Sequence, residues 1–298
     1  MVSKSKEVKA IIFGINGQDG YYLTTICKSK NIEVIGVSRS KGDWIKGNVA
    51  DFSFVSKLVE QYQPDYIFHL AANSTTRHHA LFENHEAIST GTLNILESVK
   101  IYKPSCRVFL TGSGVQFVNQ LQPISESDAF NASSSYAVAR IQSVYAARYY
   151  RSLGIKCFVG YLFHHESPHR KASHLCKQIA DTVNRIASGS VEKIVIGDRT
   201  VRKEWAYAED IATAIFILVQ QDEIFEATIG TGNAYSVQDW IEACCKYRNL
   251  NWQEYVEDPE QLFSAEYKLL VSDNTTIVRL GWKPNTSFLE LVKIMMEN

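Results

Sequence analysis

Residues 8–30 constrain the fold of this chain more than any other segment. A short apolar run at 10–13 is followed by Gly14, Gly17 and Gly20, and then by an amphipathic stretch at 21–30. This order predicts a strand, a tight turn and a helix. Glycines allow the backbone of such a turn to lie against a pyrophosphate, and the N-terminus of the helix offers free N–H groups to the anion. We therefore predict a dinucleotide-binding turn, and the alternative is an ordinary turn between a strand and a helix.

Apolar runs alternate with helical patterns as far as residue 162. Strands are predicted at 8–13, 33–38, 66–70, 107–111 and 156–162, and helices at 18–30, 53–62, 84–102 and 134–153. Unbroken alternation of strand and helix produces a parallel sheet with helices on both faces. We therefore predict an α/β fold with a doubly wound parallel sheet.

The pattern becomes less regular after residue 162. Helices are predicted at 172–188, 208–220, 236–247 and 288–296, with short strands at 193–196 and 225–229. We predict a dinucleotide-binding domain at 1–163, with a return segment at about 205–229. Residues 164–204 and 230–298 then form a smaller α/β lobe that binds the substrate, with a cleft between the two parts.

Composition narrows the possible partners. The chain has 298 residues, of which 21% are charged, and its net charge is −1, so we expect neither nucleic acid nor a membrane surface as a partner. The opening segment is polar and no apolar run approaches a bilayer span, so we expect no signal peptide and a cytoplasmic location.

The six cysteines are scattered along the sequence without a C-x-x-C pair, so we expect buried thiols, no disulfide and no zinc.

The end of the second strand indicates which nicotinamide cofactor binds. An acid at this place holds a ribose hydroxyl, whereas a cation accepts a 2′-phosphate. Here Arg39 stands between Ser38 and Ser40 and no acid is present, which favours NADP over NAD. The alternative is a solvated basic turn. Further along, Asn48 and Val49 are candidates for contact with the adenine, and Asp51 is predicted to cap the next helix.

Five motifs together carry a resemblance to a known family. The chain resembles the extended short-chain dehydrogenase/reductases that modify nucleotide sugars, and within them the GDP-mannose 4,6-dehydratases. The motifs are GINGQDG at 14–20, LAANS at 70–74, SYAVAR at 135–140, LFHHESP at 162–168 and LGWKP at 280–284.

The resemblance implies a Rossmann fold, a nicotinamide cofactor and a nucleotide-sugar substrate. The cofactor-binding residues that it implies, with those at the second strand, are Gly14, Asn16, Gly17, Gln18, Asp19, Gly20, Arg39, Ser40, Asn48, Val49, Leu70, Ala71, Ala72, Tyr136, Arg140, Leu162 and His165. The implied substrate-binding residues are Ser74, His164, Lys177, Arg202, Lys203 and Glu266.

The catalytic positions depart from the family pattern. The family motif is Y-x-x-x-K, and here Tyr136 is followed by Arg140, which shares its helix face. Arginine keeps a charge that favours the phenolate, but it lacks the compact ammonium group that binds the ribose. Alignment of FLTGSGVQFVN at 109–119 places Gly114 where the dehydratases carry a threonine. It places Gln116 where they carry a glutamate that acts as a general base. Ser113 could supply the missing hydroxyl, although we expect its side chain to face the other side of the strand.

These departures leave the reaction open. We expect an NADP-dependent enzyme acting at C4 of a nucleotide-linked hexose, with GDP as the favoured carrier. The alternatives are a 4-keto-sugar reductase or epimerase without dehydration, or a cofactor-binding protein with little turnover. The histidines at 164, 165, 169 and 174 do not match a helical metal-binding pattern, so we expect no metal there. Only residues 39–47 separate the second strand from Asn48, and this short link, compared with the family, argues for a homodimer.

Overall fold

A computed structural model describes residues 7–73, 75–257 and 266–298 of the chain. Its strands are β1 (Lys9–Phe13), β2 (Glu33–Ser38), β3 (Ile45–Lys46), β4 (Tyr66–His69), β5 (Arg107–Ser113), β6 (Cys157–Leu162), β7 (His165–Glu166), β8 (Ile194–Val195), β9 (Arg202–Glu204), β10 (Ala206–Tyr207), β11 (Glu226–Ile229), β12 (Ala234–Ser236), β13 (Val256–Glu257) and β14 (Leu269–Leu270).

The helices alternate with the larger strands. They are α1 (Gln18–Ser29), α2 (Phe52–Tyr62), α3 (Leu81–Asn84), α4 (Gly91–Tyr102), α5 (Ser135–Ser152), α6 (Leu175–Ala187), α7 (Ala208–Val219), α8 (Val237–Tyr247), α9 (Thr275–Arg279) and α10 (Phe288–Glu297). A π-helical turn, His85–Thr90, joins α3 to α4.

The central element is a seven-stranded sheet in the order β11-β6-β5-β4-β1-β2-β3. All its neighbouring strands run parallel. The order reverses beside β1, because the chain first builds outward to β3 and then returns to place β4 on the other side of β1. The doubly wound parallel sheet predicted from the alternating pattern is therefore confirmed.

Both faces of the sheet are buried, which explains the continuous apolar runs. In β1, Ile11 and Phe13 pack in a core with α2, α4 and α5, whereas Ala10 and Ile12 pack on the opposite face with α1 and α7. Successive strand residues point to opposite faces, so a strand covered on both sides needs apolar side chains at every position.

A third core lies under α6, α8 and α10. The rings of Trp205 and Trp240 stack there at 4.6 Å between centroids, and Met295 is fully buried beside them. Three small sheets, β12-β9-β14, β13-β8 and β10-β7, accompany these helices. All of their strands have only two or three residues, too few for a periodic pattern, so the sequence predicted only β8.

Several smaller predictions can also be compared with the structure. Asp51 caps α2, as predicted, by accepting a hydrogen bond of 3.1 Å from the Phe54 N–H. The cysteines at 27, 106, 157, 176, 244 and 245 are all free and buried. Within the described ranges, no helix is both long and apolar enough to cross a bilayer.

Candidate cofactor-binding and active site

A cleft of about 880 Å³ opens at the carboxyl ends of β1, β2, β4, β5 and β6. Ligands bind at this edge of open parallel sheets, beside the point where the strand order reverses. Most of the predicted site residues line it: Gly14, Asn16, Gly17, Gln18, Asp19, Arg39, Ser40, Asn48, Val49, Leu70, Ala71, Ala72, Ser113, Tyr136, Arg140, Leu162, His164 and His165. The cleft therefore unites segments from residue 14 to residue 165.

The glycine-rich turn has the shape that a dinucleotide site requires. Gly14 has φ +91°, and a Cβ added there would lie 2.8 Å from the backbone N of Ala71. Gly20 lies behind the turn, inside α1, where a Cβ would approach the Gly14 carbonyl oxygen to 2.7 Å. The N-cap residue Gly17 offers no side chain to the first turn of α1, so the free N–H groups there remain open to an anion. This turn fits the pyrophosphate of a dinucleotide.

Two motifs of the sequence are bonded to each other. The Gln18 amide donates to the His165 carbonyl oxygen at 3.2 Å and accepts from the Ser167 hydroxyl at 2.9 Å. Next to it, Asp19 Oδ1 lies 2.9 Å from His165 Nε2. We refer to Gln18, Asp19, His165 and Ser167 as the motif brace. The brace fixes the start of α1 against β7 at the rim of the cleft.

The contacts of the His165 ring favour its charged form. His165 Nδ1 lies 2.7 Å from the Phe163 carbonyl oxygen, so both ring nitrogens face acceptors and both must donate. Burial lowers the pKa of His165, but the Asp19 carboxylate outweighs it and the net pKa is raised. Burial likewise opposes ionisation of Asp19, yet His165 holds the pKa of that carboxyl below its usual value. The pair removes a repulsive negative charge from beside the anion-binding turn.

The end of β2 carries the residues predicted to select the cofactor. Asn16 donates to the Ser40 hydroxyl at 3.2 Å, and Ser40 also contacts Ser38. Arg39 lines the cleft, but its Nη2 lies 2.7 Å from Glu83 Oε1 on α3. The cation is therefore present at the predicted place and is already paired with an acid.

Tyr136 and Arg140 lie one turn apart on α5, and both reach the cleft. The guanidinium carbon lies 5.0 Å from the centre of the Tyr136 ring, and Arg140 also donates to the carbonyl oxygen of Thr111 at the end of β5. Arg140 Nε is buried with no hydrogen-bond partner among the described residues. Burial, and then the charge of Arg140, lower the pKa of neighbouring His69 to about 3, so that ring is neutral.

The positions where the family carries threonine and glutamate have a different arrangement here. Gln116 is not among the described residues that line the cleft; it lies behind them and is fully buried. Its Oε1 accepts a hydrogen bond of 2.9 Å from the Ser113 N–H. A Cβ at Gly114 would lie 2.7 Å from the ring of Phe163, which fills the space of a larger residue. Ser113, the last residue of β5, lines the cleft together with Thr111 and Gly112, and the direction of its side chain stays a prediction.

His164 borders the cleft, but its Nε2 faces inward. That atom lies 3.2 Å from Cys176 Sγ and 3.2 Å from Glu166 Oε1, so three potential metal ligands meet. Glu166 is fully buried, and burial raises its pKa. The cations Arg170, whose Nε lies 3.5 Å from Glu166 Oε2, and Lys203 act on the same carboxylate. They compensate its charge and would repel a divalent ion, so we assign no metal here.

The remaining predicted substrate residues lie outside the cleft or outside the described residues. Lys203 and Glu266 line a second cavity of about 370 Å³, and Tyr267 borders both that cavity and the cleft. Lys177 pairs with Asp181 on α6 at 2.9 Å. Arg202 is exposed and donates to the Ala234 carbonyl oxygen at 2.9 Å. Ser74 lies outside the described residues.

Sequence reasoning missed several polar residues of the cleft. These are Asn73, Thr75, Arg77, His79, Thr111, Arg170, Lys171, Ser173, His174 and Tyr267. Many of them follow the carboxyl ends of β4 and β6, and that position was a usable signal. Tyr267 had no such sequence signal, because its position beside the cleft depends on how the last part of the chain packs.

The charge of the cleft suits anionic ligands. Cations outnumber acids among its described lining residues, and the one acid there, Asp19, is paired with His165.

Sequence comparison supports the resemblance. The GDP-mannose 4,6 dehydratase family model matches residues 11–295. Among curated proteins, GDP-mannose 4,6 dehydratase 2 of Arabidopsis thaliana is 28% identical over 319 residues, covering 97% of this chain and 86% of that protein. The match therefore extends over nearly all of both chains.

Solved structures share the fold at low identity. RMD from Pseudomonas aeruginosa, complexed with NADPH, has a TM-score of 0.85 and 17% identity, covering 98% of this chain and 97% of its own. The UDP-glucose 4-epimerase of Thermus thermophilus, complexed with NAD, has a TM-score of 0.83 and 17% identity, covering 97% and 98%. By its sequence, its motifs and its fold, this chain belongs to the GDP-mannose 4,6-dehydratase family of the extended short-chain dehydrogenase/reductases.

Proposed function

We propose that this protein is an NADP-dependent enzyme that exchanges hydride at C4 of a hexose carried by a nucleoside diphosphate. The observation that carries the proposal is the meeting of Tyr136, Arg140 and Ser113 in one cleft with the glycine-rich turn. A GDP-linked sugar is the first substrate to test, because the family and the Arabidopsis relative bear the name of GDP-mannose.

The proposed cofactor site contains the turn at 14–20 and the end of β2. NADP is proposed over NAD because Arg39, Ser40 and Asn16 lie together there and no acid ends β2. A bound nicotinamide would supply the hydride acceptor or donor.

The proposed chemistry of the chain is proton transfer at the C4 oxygen. The Tyr136 hydroxyl would act as general base during oxidation and as general acid during reduction. Arg140 would stabilise the phenolate through its charge, since it lies over the same ring and is held by the Thr111 carbonyl oxygen. Ser113 would donate a hydrogen bond to the same oxygen of the sugar.

Dehydration needs a further base that takes the C5 proton, and the family assigns this to a glutamate. Here Gln116 cannot accept a proton as a base and lies behind the cleft wall, while Phe163 fills the space beside Gly114. Loss of a general base lowers a rate by about 10²–10⁴-fold. We therefore favour reversible C4 oxidation or 4-keto reduction over 4,6-dehydration.

For the substrate, we propose that the sugar lies near Tyr136 and that the nucleotide extends past Tyr267 into the second cavity. Tyr267 borders both spaces, and Lys203 supplies a cation in the second.

The proposed domain division stays a prediction: a cofactor domain at 1–163, with a return segment at about 205–229, and a substrate lobe at 164–204 and 230–298. The cytoplasmic location also stays a prediction.

We also propose a homodimer formed through α4 and α5. The two helices are neighbours, joined by a 3.0 Å hydrogen bond between Thr92 and Ser143. They expose large apolar side chains that a monomer would leave in water: Leu93, Ile101, Val138, Tyr145 and Tyr149.

The test uses purified protein with NADP⁺ and a panel of GDP-, dTDP-, UDP- and CDP-hexoses, and with NADPH and the corresponding 4-keto sugars. NADPH absorbance reports hydride transfer, and mass spectrometry reports loss of water. Tyr136→Phe should lower kcat by at least about 10²-fold. Tyr145→Phe, on the exposed side of the same helix, is the matched control and should leave kcat unchanged.

The outcomes separate the candidate functions. NADPH oxidation with 4-keto sugars, lost in Tyr136→Phe, supports the proposal. A dehydrated product would overturn the preference for C4 exchange. Tight cofactor binding without turnover on any sugar would instead support a cofactor-binding protein. This is the second candidate function, because Gln116 is fully buried and does not line the cleft.

A further inference from the structure

An acid from outside β2 meets the cation that is proposed to select NADP. Glu83 lies on α3, and its Oε1 is 2.7 Å from Arg39 Nη2. Its other oxygen, Oε2, accepts from the Asn73 amide at 2.8 Å. Arg39 and Asn73 both line the cleft, so one carboxylate connects the loops that follow β2 and β4.

This pair is accessible and therefore exchangeable. The side chains of Arg39 and Glu83 are 54% and 42% exposed, and exposed ion pairs contribute little stability. A 2′-phosphate carries more charge than a carboxylate and would compete for the guanidinium. After such an exchange Glu83 would remain close by as a like charge, because Asn73 still holds its second oxygen.

Glu83 would act differently on a dinucleotide without the 2′-phosphate. Cofactor sites of this fold that select NAD place an acid where it accepts a hydrogen bond from the ribose hydroxyl. The end of β2 has no acid, but Glu83 brings one to the same guanidinium from α3. A carboxylate here repels the 2′-phosphate of NADP. It does not repel the free 2′-hydroxyl of NAD.

We infer that Glu83 is a specificity-determining residue that lowers the preference of this protein for the 2′-phosphorylated cofactor. The inference rests on the proposed cofactor site and deepens it. Arg39 attracts the 2′-phosphate, Glu83 opposes that attraction, and the balance between them sets the ratio of the two affinities.

The experiment measures Kd by calorimetry for NADPH and NADH, and for adenosine 2′,5′-bisphosphate and AMP, which isolate the 2′-phosphate. In Glu83→Gln, the Kd for NADPH and for the bisphosphate should fall by about 5- to 10-fold, while that for NADH and AMP does not fall. The gain should shrink at high salt, because it comes from charge. Exposed Glu86→Gln, which makes the same charge change one turn further on, should leave the ratio unchanged.

The result that would overturn the inference is a Glu83→Gln variant whose NADPH-to-NADH ratio equals that of the wild type. The inference would also be overturned if Glu86→Gln changed the NADPH-to-NADH ratio as much as Glu83→Gln does. Failure of the wild type to bind either dinucleotide would overturn the proposed function itself, so the two failures are distinguishable. Arg39→Ala provides a second variant, and it should weaken NADPH and the bisphosphate but not NADH.

Discussion

Arg140 differs from a lysine in how its charge is held. Its guanidinium donates to the Thr111 carbonyl oxygen and lies over the Tyr136 ring, and its Nε is buried and unpartnered among the described residues. A planar guanidinium with several donors can serve two partners at once, which an ammonium group on a flexible stem does less well. In the proposed mechanism, the residue would therefore supply charge to the tyrosine from a fixed position.

We expect Arg140→Gln to lower kcat for 4-keto-sugar reduction by about 10²-fold, because the amide keeps a donor but loses the charge. Arg140→Lys keeps the charge and should retain most of the activity. The measurement is NADPH oxidation at saturating substrate, with cofactor Kd determined in parallel. Equal rates for Arg140→Gln and the wild type would show that the charge has no part in the reaction.

The second residue-scale prediction concerns Gln116. Restoring the family's acid with Gln116→Glu should not restore dehydration, because the side chain is fully buried behind the cleft wall. The variant should lose about 1–3 kcal/mol of stability, because it places a carboxyl group at a fully buried position. Urea unfolding and mass spectrometry of the products test both parts. A dehydrated sugar from this variant would contradict our placement of the residue.

The third concerns pH and the motif brace. The pKa of His165 is raised above its ordinary 6.5 in the folded protein, so its contribution to stability is complete below pH 6.5 and is lost as pH rises through the folded value. The pKa of Asp19 is lowered below 3.8, so its contribution is present above pH 3.8 and is lost as pH falls through the folded value.

Asp19→Asn should remove this dependence, at a cost of about 1–2 kcal/mol near pH 6. The measurement is the unfolding free energy of wild type and variant between pH 5 and pH 9, read as their difference, because other histidines titrate in both proteins. A difference that stays constant over this range would mean that His165 does not take its charge from Asp19.

At the scale of elements, one carboxylate joins two strands of the main sheet to a helix that packs on it. Glu226, the first residue of β11, accepts hydrogen bonds from Arg148 and Arg151 on α5 and from the Tyr161 hydroxyl on β6, at 2.5–3.0 Å. Burial opposes its ionisation, but these donors lower the pKa of Glu226 to about 2. The edge strand is thereby attached to the rest of the sheet.

We expect Glu226→Ala to lose about 2–4 kcal/mol of unfolding free energy, because it leaves two guanidinium groups and a phenol without their acceptor. Lys156→Ala, which removes an exposed cation paired with Asp222 nearby, is the control and should cost less than about 1 kcal/mol. Urea unfolding measures both. Equal effects of the two substitutions would show that Glu226 does not secure β11.

At the scale of the whole molecule, the proposed dimer would bury the exposed apolar side chains on α4 and α5. Leu93→Asp should convert the proposed dimer to a monomer, because it places an unpaired charge among side chains that the partner would cover. Val191→Asp is the control, since Val191 is 94% exposed elsewhere and should leave the mass unchanged. Analytical ultracentrifugation measures the mass of each variant. A wild-type monomer would contradict the proposed assembly.

The sequence by itself determined the parallel sheet, the glycine-rich turn and the pairing of Tyr136 with Arg140. Each depends on local patterns: apolar runs of strand length, glycines at fixed spacing, and residues four apart on one helix. The predicted motifs also led to the correct family. Short strands such as β9 and β14 escaped prediction because they carry no periodicity of their own.

Only the tertiary structure decided what the site residues contact. Gln18 meets Ser167 across 149 residues and Arg39 meets Glu83 across 44, and no local pattern encodes either pair. Packing also turned Gln116 behind the cleft wall, filled the space at Gly114 with Phe163 and placed Lys203 in a second cavity. Sequence patterns record what each residue can do, whereas the position of its partners depends on how distant segments pack together.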